Sequence, residues 1–184
     1  MAQNKTTYIR FFGGIDIKAI TKLTQLVEEQ LQSGVDRFVL LMSSPGGSVF
    51  AGLTGYSYLK GIPAEVVTHN CGSVDSIAVV LYCAGSRRLC VPHARFLLHG
   101  ISYDVTKLTR FGEKTLDEHA RSLKMDRENM AGVIADSTGK PLAAVQRNIL
   151  EASVLNSEQA LQYGLVHEIR SALFEKGASI LEIP

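Results

Sequence analysis

The sequence predicts an α/β fold. Short apolar runs of strand length alternate with segments whose apolar residues recur at helical spacing, the pattern of a sheet covered by helices. Two of the strand-to-helix junctions carry unusual turns, Ser43-Ser44-Pro45-Gly46-Gly47-Ser48 and Asn70-Cys71-Gly72-Ser73-Val74-Asp75-Ser76-Ile77. At 184 residues the chain fits one domain, residues 1–184, and can bury a sizeable core.

The elements follow in order. Thr6 to Phe12 is strand-like and ends at Gly13-Gly14. Asp16 then caps a helix whose Ile17, Ile20, Leu23, Val27 and Leu31 share one face, and Gly34 ends it. A strand over 37–42 leads into the Pro-Gly-Gly turn, and Ser48 caps a helix over 48–59. After the Gly61-Ile62-Pro63 turn, a strand over 64–69 leads to Ser76 and an apolar helix to Ala84. Arg87 to Val91 and Arg95 to Leu98 are two short strands about Pro92. Ile101 to Phe111 has no clear period. From Thr115 to about Ser137 the spacing predicts a long helix with Leu116, Ala120, Leu123, Met130, Val133 and Ile134 as its stripe. Such a stripe is normally core or a helix–helix contact. Pro141 suits the first turn of a helix running to about Glu151, and Ser157 is the expected N-cap of the next. From Ser171 onward the sequence says little beyond packing of Leu173-Phe174 and Ile180-Leu181.

Composition excludes several classes. A net charge of +1 and a pI near 7.7 give no argument for nucleic acid or an anionic membrane surface. Hydrophobic content is 46%, without an apolar run of the length a membrane span needs. The opening Met1-Ala2-Gln3-Asn4-Lys5 starts no apolar signal segment, so a cytoplasmic protein is expected. Cys71, Cys83 and Cys90 are odd in number and lack paired metal-type spacing, so they read as reduced thiols. No metal or cofactor is implied.

Three stretches carry chemistry. A serine at a strand-to-helix turn has its hydroxyl near backbone N–H groups that lack intrahelical partners. Ser76 is therefore either a nucleophile or an ordinary N-cap. Strand, Pro-Gly-Gly, helix is a turn where backbone approaches a ligand closely and donates N–H groups to a carbonyl oxygen; alone, it is also an ordinary tight turn. His99 closes the apolar strand Arg95-Phe96-Leu97-Leu98 and is the candidate general base.

Together these stretches resemble the Clp protease proteolytic subunit family. Ser44-Pro45-Gly46-Gly47-Ser48-Val49 with Ala51-Gly52, Tyr82-Cys83-Ala84-Gly85, Val91 to His99, and Ser157 to Val166 with its Tyr163-Gly164 carry the resemblance, over about residues 7–170. It implies the Clp/crotonase fold of repeated strand–strand–helix units. It implies a protruding handle helix, in a region of about 101–140, that interlocks two rings. Gly47 and Ser76 align with the family pattern without a gap. The resemblance thus makes Ser76 the nucleophile and His99 the base. The N–H groups of Gly47 and Ile77 become the oxyanion hole, and the sheet edge near Gly46 the place where an extended peptide or unfolded protein adds as a strand.

Two departures stand out. Counting back from Tyr163-Gly164, the family's acid falls on Ala152, which cannot orient an imidazole. Glu151 is adjacent, and a one-residue shift would bring its carboxylate to His99. Asp75 and Asp104 are further carboxylates. The few residues before the first strand, and the lack of a Pro-Leu-Gly-Gly-type pair after His99, put docking of an ATPase in doubt. The expected function is a serine peptidase assembled as homo-oligomeric rings. The alternatives are a weak or non-catalytic ring subunit or scaffold, and an acyl-CoA enzyme of the crotonase fold.

Overall fold

In the computed structural model, which describes residues 5–102 and 112–183, a parallel sheet grows outward from the apolar strands read above. Its strands are β1 (Thr6–Phe12), β2 (Arg37–Ser44), β3 (Glu65–Asp75), β4 (Arg87–Cys90), β5 (Arg95–Leu98), β6 (Ser153–Asn156), β7 (Glu168–Ile169) and β8 (Ile180–Ile183). The helices are α1 (Ile17–Gln32), α2 (Val49–Gly61), α3 (Ile77–Tyr82), α4 (Glu113–Thr138), α5 (Leu142–Leu150) and α6 (Ser157–Tyr163). The main order is β6-β5-β3-β2-β1-β8, with β4 pairing β3 and β7 off this path. Every pairing is parallel except β5 with β6.

Strand alternation divides the sheet's two faces. In β2, Phe38, Leu40 and Met42 enter the main core beneath the helices, together with Ile20, Leu23 and Val27 of α1 and all of α3. Val39 and Leu41 point the other way, into a smaller cluster with Val67 and Leu89. A sheet buried on both faces needs near-continuous apolar strands, and Phe38 to Met42 is such a run.

Several local expectations hold. Asp16 accepts from the Ala19 N–H at 2.8 Å, and Ser48 Oγ accepts from the Ala51 N–H at 3.3 Å. Gly139 ends α4 in the left-handed conformation.

Others change. The strand expected over 64–69 runs on to Asp75, because its second half finds a new partner: Val67–Asn70 pair with β4, and Ser73–Asp75 pair with β5. Asn70 sits at the changeover, its Nδ2 donating to the Arg95 carbonyl at 2.9 Å and its Oδ1 accepting from the Gly72 N–H at 2.9 Å. The N-cap of α6 is Asn156, in a reciprocal capping box with Gln159. Ser157 instead donates to the Pro92 carbonyl at 2.6 Å. The C-terminal segment adds β8 alongside β1, and Phe174 packs edge-on against Tyr8. In α4 only the C-terminal half, with Met130, Ala131, Ile134 and Ala135, is buried; Leu116 and Met125 are 54% and 58% exposed.

Candidate active site

The site forms where β3 ends. Val74 pairs with Ser44 on one side and Asp75 with Leu97 on the other, so the chain entering α3 is held between β2 and β5. The Ser76 N–H donates to the Leu97 carbonyl at 2.8 Å. Ser76 takes φ 59° and ψ −130°, a region that a side chain rarely occupies, at a cost of about 1–3 kcal/mol. A sharp strained turn between strand and helix lifts a serine out of the sheet. Its side chain makes no cap bond to α3. Ser76 stands at the N-cap position without doing an N-cap's work.

The glycine turn lies directly against it. A Cβ placed on Gly46 would come within 2.7 Å of Ser76 Cβ and 3.3 Å of its Oγ. A Cβ on Gly47 would fall 2.2 Å from the Ile15 carbonyl oxygen. Both glycines have positive φ, 92° and 149°, so no other residue fits either position without displacing backbone. The turn is pinned by Ile15, whose N–H donates to the Gly46 carbonyl at 2.8 Å while its own carbonyl accepts from Ser48 at 2.7 Å. The Gly46 N–H donates to Ser44 Oγ at 3.2 Å. Among the described residues, the N–H groups of Gly47 and Ile77 have no acceptor. One of these donors follows Ser76 in the chain, and the other lines the same cavity as Ser76.

Ser76 and His99 line one open cavity of about 390 Å³ with Pro45, Gly47, Ser48, Val49, Phe50, Gly100, Ile101, Ser102 and Asp126. Ser76, His99 and Gly47 thus share one wall. The carboxylates divide differently. Asp75 is engaged at both oxygens, accepting from Ser73 Oγ at 2.8 Å and from Arg95 Nη2 at 2.6 Å. Glu151 is the exposed C-cap of α5, outside the residues lining the cavity. Asp104 lies outside the described residues. His99 has no hydrogen bond to a carboxylate among the described residues. In the antiparallel β5–β6 pair, Leu98 faces Ser153 as the last pair of the register; His99 follows Leu98, and Ala152 precedes Ser153. Ala152 itself turns the chain with φ 52°.

Asp126, midway along α4, is the cavity residue that the sequence did not single out. Its only sequence signal is a carboxylate beside the apolar stripe, which reads as a solvated helix face.

The thiols do not compete for the chemistry. Burial pushes Cys71, Cys83 and Cys90 each up to about 11, so all three stay protonated at neutral pH. Among the described residues no cluster of His, Cys, Asp or Glu is arranged to hold a metal ion.

A family model for Clp protease matches residues 4–172, nearly the whole chain. The chain belongs to the Clp protease family. It is 30% identical over 157 residues to the ATP-dependent Clp protease proteolytic subunit 1 of Tropheryma whipplei strain Twist, covering 84% of this chain and 74% of that one. The same values relate it to proteolytic subunit 2 of strain TW08/27. Against proteolytic subunit 3 of Rhodococcus jostii it is 31% identical over 141 residues, covering 74% of this chain and 67% of the relative. Clp protease membership supports a serine peptidase function in general and a hydrolase class, and the mixed α/β architecture agrees with the Clp protease fold. No helix among the described residues is long and apolar enough to cross a membrane.

Proposed function

We propose that the chain hydrolyses peptide bonds through an acyl-enzyme on Ser76, with His99 as general base and then general acid. The observation that carries this reading is the strained, uncapped Ser76 sharing a cavity with His99, beside two unspent backbone donors. Serine is a weak nucleophile because its hydroxyl stays protonated near neutrality. His99 takes that proton as Ser76 Oγ attacks the carbonyl carbon, and the carbonyl oxygen gains negative charge. The Gly47 and Ile77 N–H groups receive it, each such donor being worth roughly 3–4 kcal/mol. Collapse breaks the C–N bond, and His99 returns the proton to the leaving amine. Water then attacks the ester with His99 again as base, releasing the acid and restoring Ser76. We place the extended peptide beside the turn at Gly46, which meets it by packing, because the Gly46 N–H and carbonyl already serve Ser44 Oγ and the Ile15 N–H.

Glu151 is the carboxylate we assign to assist His99, because it lies one residue from Ala152, where the family's acid falls by count from Tyr163-Gly164. A short peptide ester tests the reading. Ser76→Ala and His99→Gln should each lower kcat by roughly a thousandfold or more. Undiminished turnover in either variant would overturn it.

The relatives' names describe subunits, and we carry self-assembly over to this chain as homo-oligomeric rings, in the cytoplasm. The exposed apolar residues of the N-terminal half of α4, Leu116 and Met125, are the surface that would be covered between rings. Leu116→Lys with Met125→Lys should reduce the mass seen by light scattering. An unchanged mass would remove α4 from the assembly.

A further inference from the structure

The parallel strands β5, β3, β2, β1 and β8 end side by side, and the site described above occupies the first three of those ends. His99 follows β5, Ser76 follows β3, and Gly46-Gly47 follow β2. The next end belongs to β1, where Gly13-Gly14 run beside the glycine turn. The Gly13 N–H donates to the Ser43 carbonyl at 3.0 Å, and the Ile15 N–H to the Gly46 carbonyl at 2.8 Å. A Cβ on Gly14 would meet only the Gly46 carbonyl oxygen, at 3.8 Å, and one on Gly13 would meet nothing. Gly47, Gly14 and Gly13 are exposed, so the floor leading from the Ser76 cavity to the β1 end is glycine backbone. There a second open cavity, of about 450 Å³, is lined by Phe12, Ile183, Asp16, Lys18 and Lys22 among others. Lys18 and Lys22 lie one turn apart on α1, and among the described residues neither has an ion-pair or hydrogen-bond partner. Asp16 spends one carboxylate oxygen on the Ala19 N–H, and the nearby Arg10 and Glu182 pair with each other. Two lysines against one aspartate leave the lining with one positive charge in excess.

We propose that the cavity at the β1 end is a distal substrate subsite, in which Lys18 and Lys22 select an aspartate or glutamate side chain three or four residues before the bond cut. This rests on the serine peptidase reading given above. Ligands of open α/β sheets lie across the carboxyl ends of the strands. The direction of the peptide follows from the proton transfers. His99 returns a proton to the leaving amine, so the leaving half lies on the β5 side of Ser76. The acyl half then runs the other way, past Gly47 toward Gly14. Neighbouring strands lie about 4.8 Å apart and an extended peptide rises about 3.3 Å per residue, so the two spacings from β3 to β1 take about three residues. A side chain of the third or fourth residue thus comes within reach of the cavity that Lys18 and Lys22 line. On this side the peptide runs toward its amino end, so the carboxylate comes from a side chain and not from the chain terminus. A lysine there would set like charges together, which disfavours it. Lys18 is exposed and Lys22 half-buried, so salt screens the attraction.

The test uses the whole chain and a fluorogenic peptide series that carries glutamate, glutamine or lysine at the third or the fourth residue before the bond cut. Fluorophosphonate labelling of the wild type, mapped to Ser76, is read in parallel. An exposed charge contact is worth up to about fivefold, and glutamate against lysine compares attraction with repulsion. The expected kcat/KM for glutamate therefore exceeds that for lysine by about tenfold at low salt, at one of the two positions. That ratio should shrink as salt rises, fall toward one in the Lys18→Gln, Lys22→Gln double variant, and invert in Lys18→Glu, Lys22→Glu. Hydrolysis with a Ser76 adduct but equal rates for glutamate and lysine, or faster cutting with lysine, overturns the subsite and leaves the peptidase reading standing. So does a ratio that neither double variant changes. No hydrolysis of any peptide, or hydrolysis without a Ser76 adduct, overturns the peptidase reading itself and the subsite with it. The wild-type ratio and its salt dependence decide the matter even where a variant does not fold.

Discussion

Arg95 grips Asp75 from the neighbouring strand, its Nη2 donating to the carboxylate at 2.6 Å and its Nε donating to Ser73 Oγ at 2.9 Å. Ser73 Oγ in turn donates to the other carboxylate oxygen. A closed triangle of side chains thus joins β5 to β3 one residue before Ser76. It explains how a strained turn stays in place, and it gives Asp75 a structural occupation instead of a role at His99.

The first prediction concerns that clamp. The Asp75 side chain is only 9% exposed, so removing the guanidinium leaves a nearly buried carboxylate with one partner. Arg95→Gln should lower stability by about 1–3 kcal/mol, the cost of under-satisfying a buried polar group. In denaturant titrations the Asp75→Asn, Arg95→Gln double variant should lose less than the two single losses added together. Strict additivity would show that the pair does not act as a unit. Loss of esterase activity in Asp75→Asn, with Glu151→Gln unaffected, would make Asp75 the assisting acid.

A second prediction concerns Ala152. It directly precedes Ser153, which faces Leu98 in the β5–β6 register, and its left-handed φ favours aspartate, which tolerates that conformation better than alanine. Ala152→Asp should raise kcat for a peptide ester by at least about tenfold, since an orienting acid is worth up to about ten-thousandfold in serine peptidases. Glu151→Gln should lower wild-type kcat and have little effect in the Ala152→Asp background. A slower Ala152→Asp enzyme would mean that residue 152 does not face His99.

The pH dependence of stability follows from two imidazoles with lowered pKa, the buried His69 and the exposed His167. His69, 1% exposed within β3, has its pKa lowered mainly by burial, and its Nε2 lies 3.0 Å from the Arg170 carbonyl oxygen. His167 is lowered by burial and by the Arg88 and Arg87 cations. A histidine whose folded pKa lies below its unfolded value of 6.5 takes up a proton on unfolding between the two. The stability is complete above 6.5 and is lost as pH falls through that value toward the lower folded pKa. Tm should therefore be lower at pH 5.5 than at pH 7.5, and His69→Gln should show a smaller drop. An equal drop would assign the effect to other groups.

Much of this was written locally. Asp16, Ser48 and the Pro45-Gly46-Gly47 turn declare themselves because caps and tight turns depend on neighbours within four residues. Ser76 and His99 were legible as residues in the right order. The far half of β3 was not, because Asn70 to Ser73 are polar and become a strand only when β5 comes alongside. The stripe on α4 overstated burial, because periodicity marks a face and not how much of it the body covers. Leu116 was counted with Ile134, yet only Ile134 meets the core. Asp126 was invisible for the opposite reason: its place in the Ser76 cavity depends on how α4 packs against α3 and α5, which no local pattern encodes.

The central claim is that Ser76 is the nucleophile. Its most direct measurement is fluorophosphonate labelling of the whole protein, followed by peptide mapping of the adduct. The account predicts a single adduct on Ser76, absent in Ser76→Ala, greatly slowed in His99→Gln, and unaffected by prior alkylation of the thiols. An adduct on Ser73 or Ser48, or labelling that persists in Ser76→Ala, would contradict it.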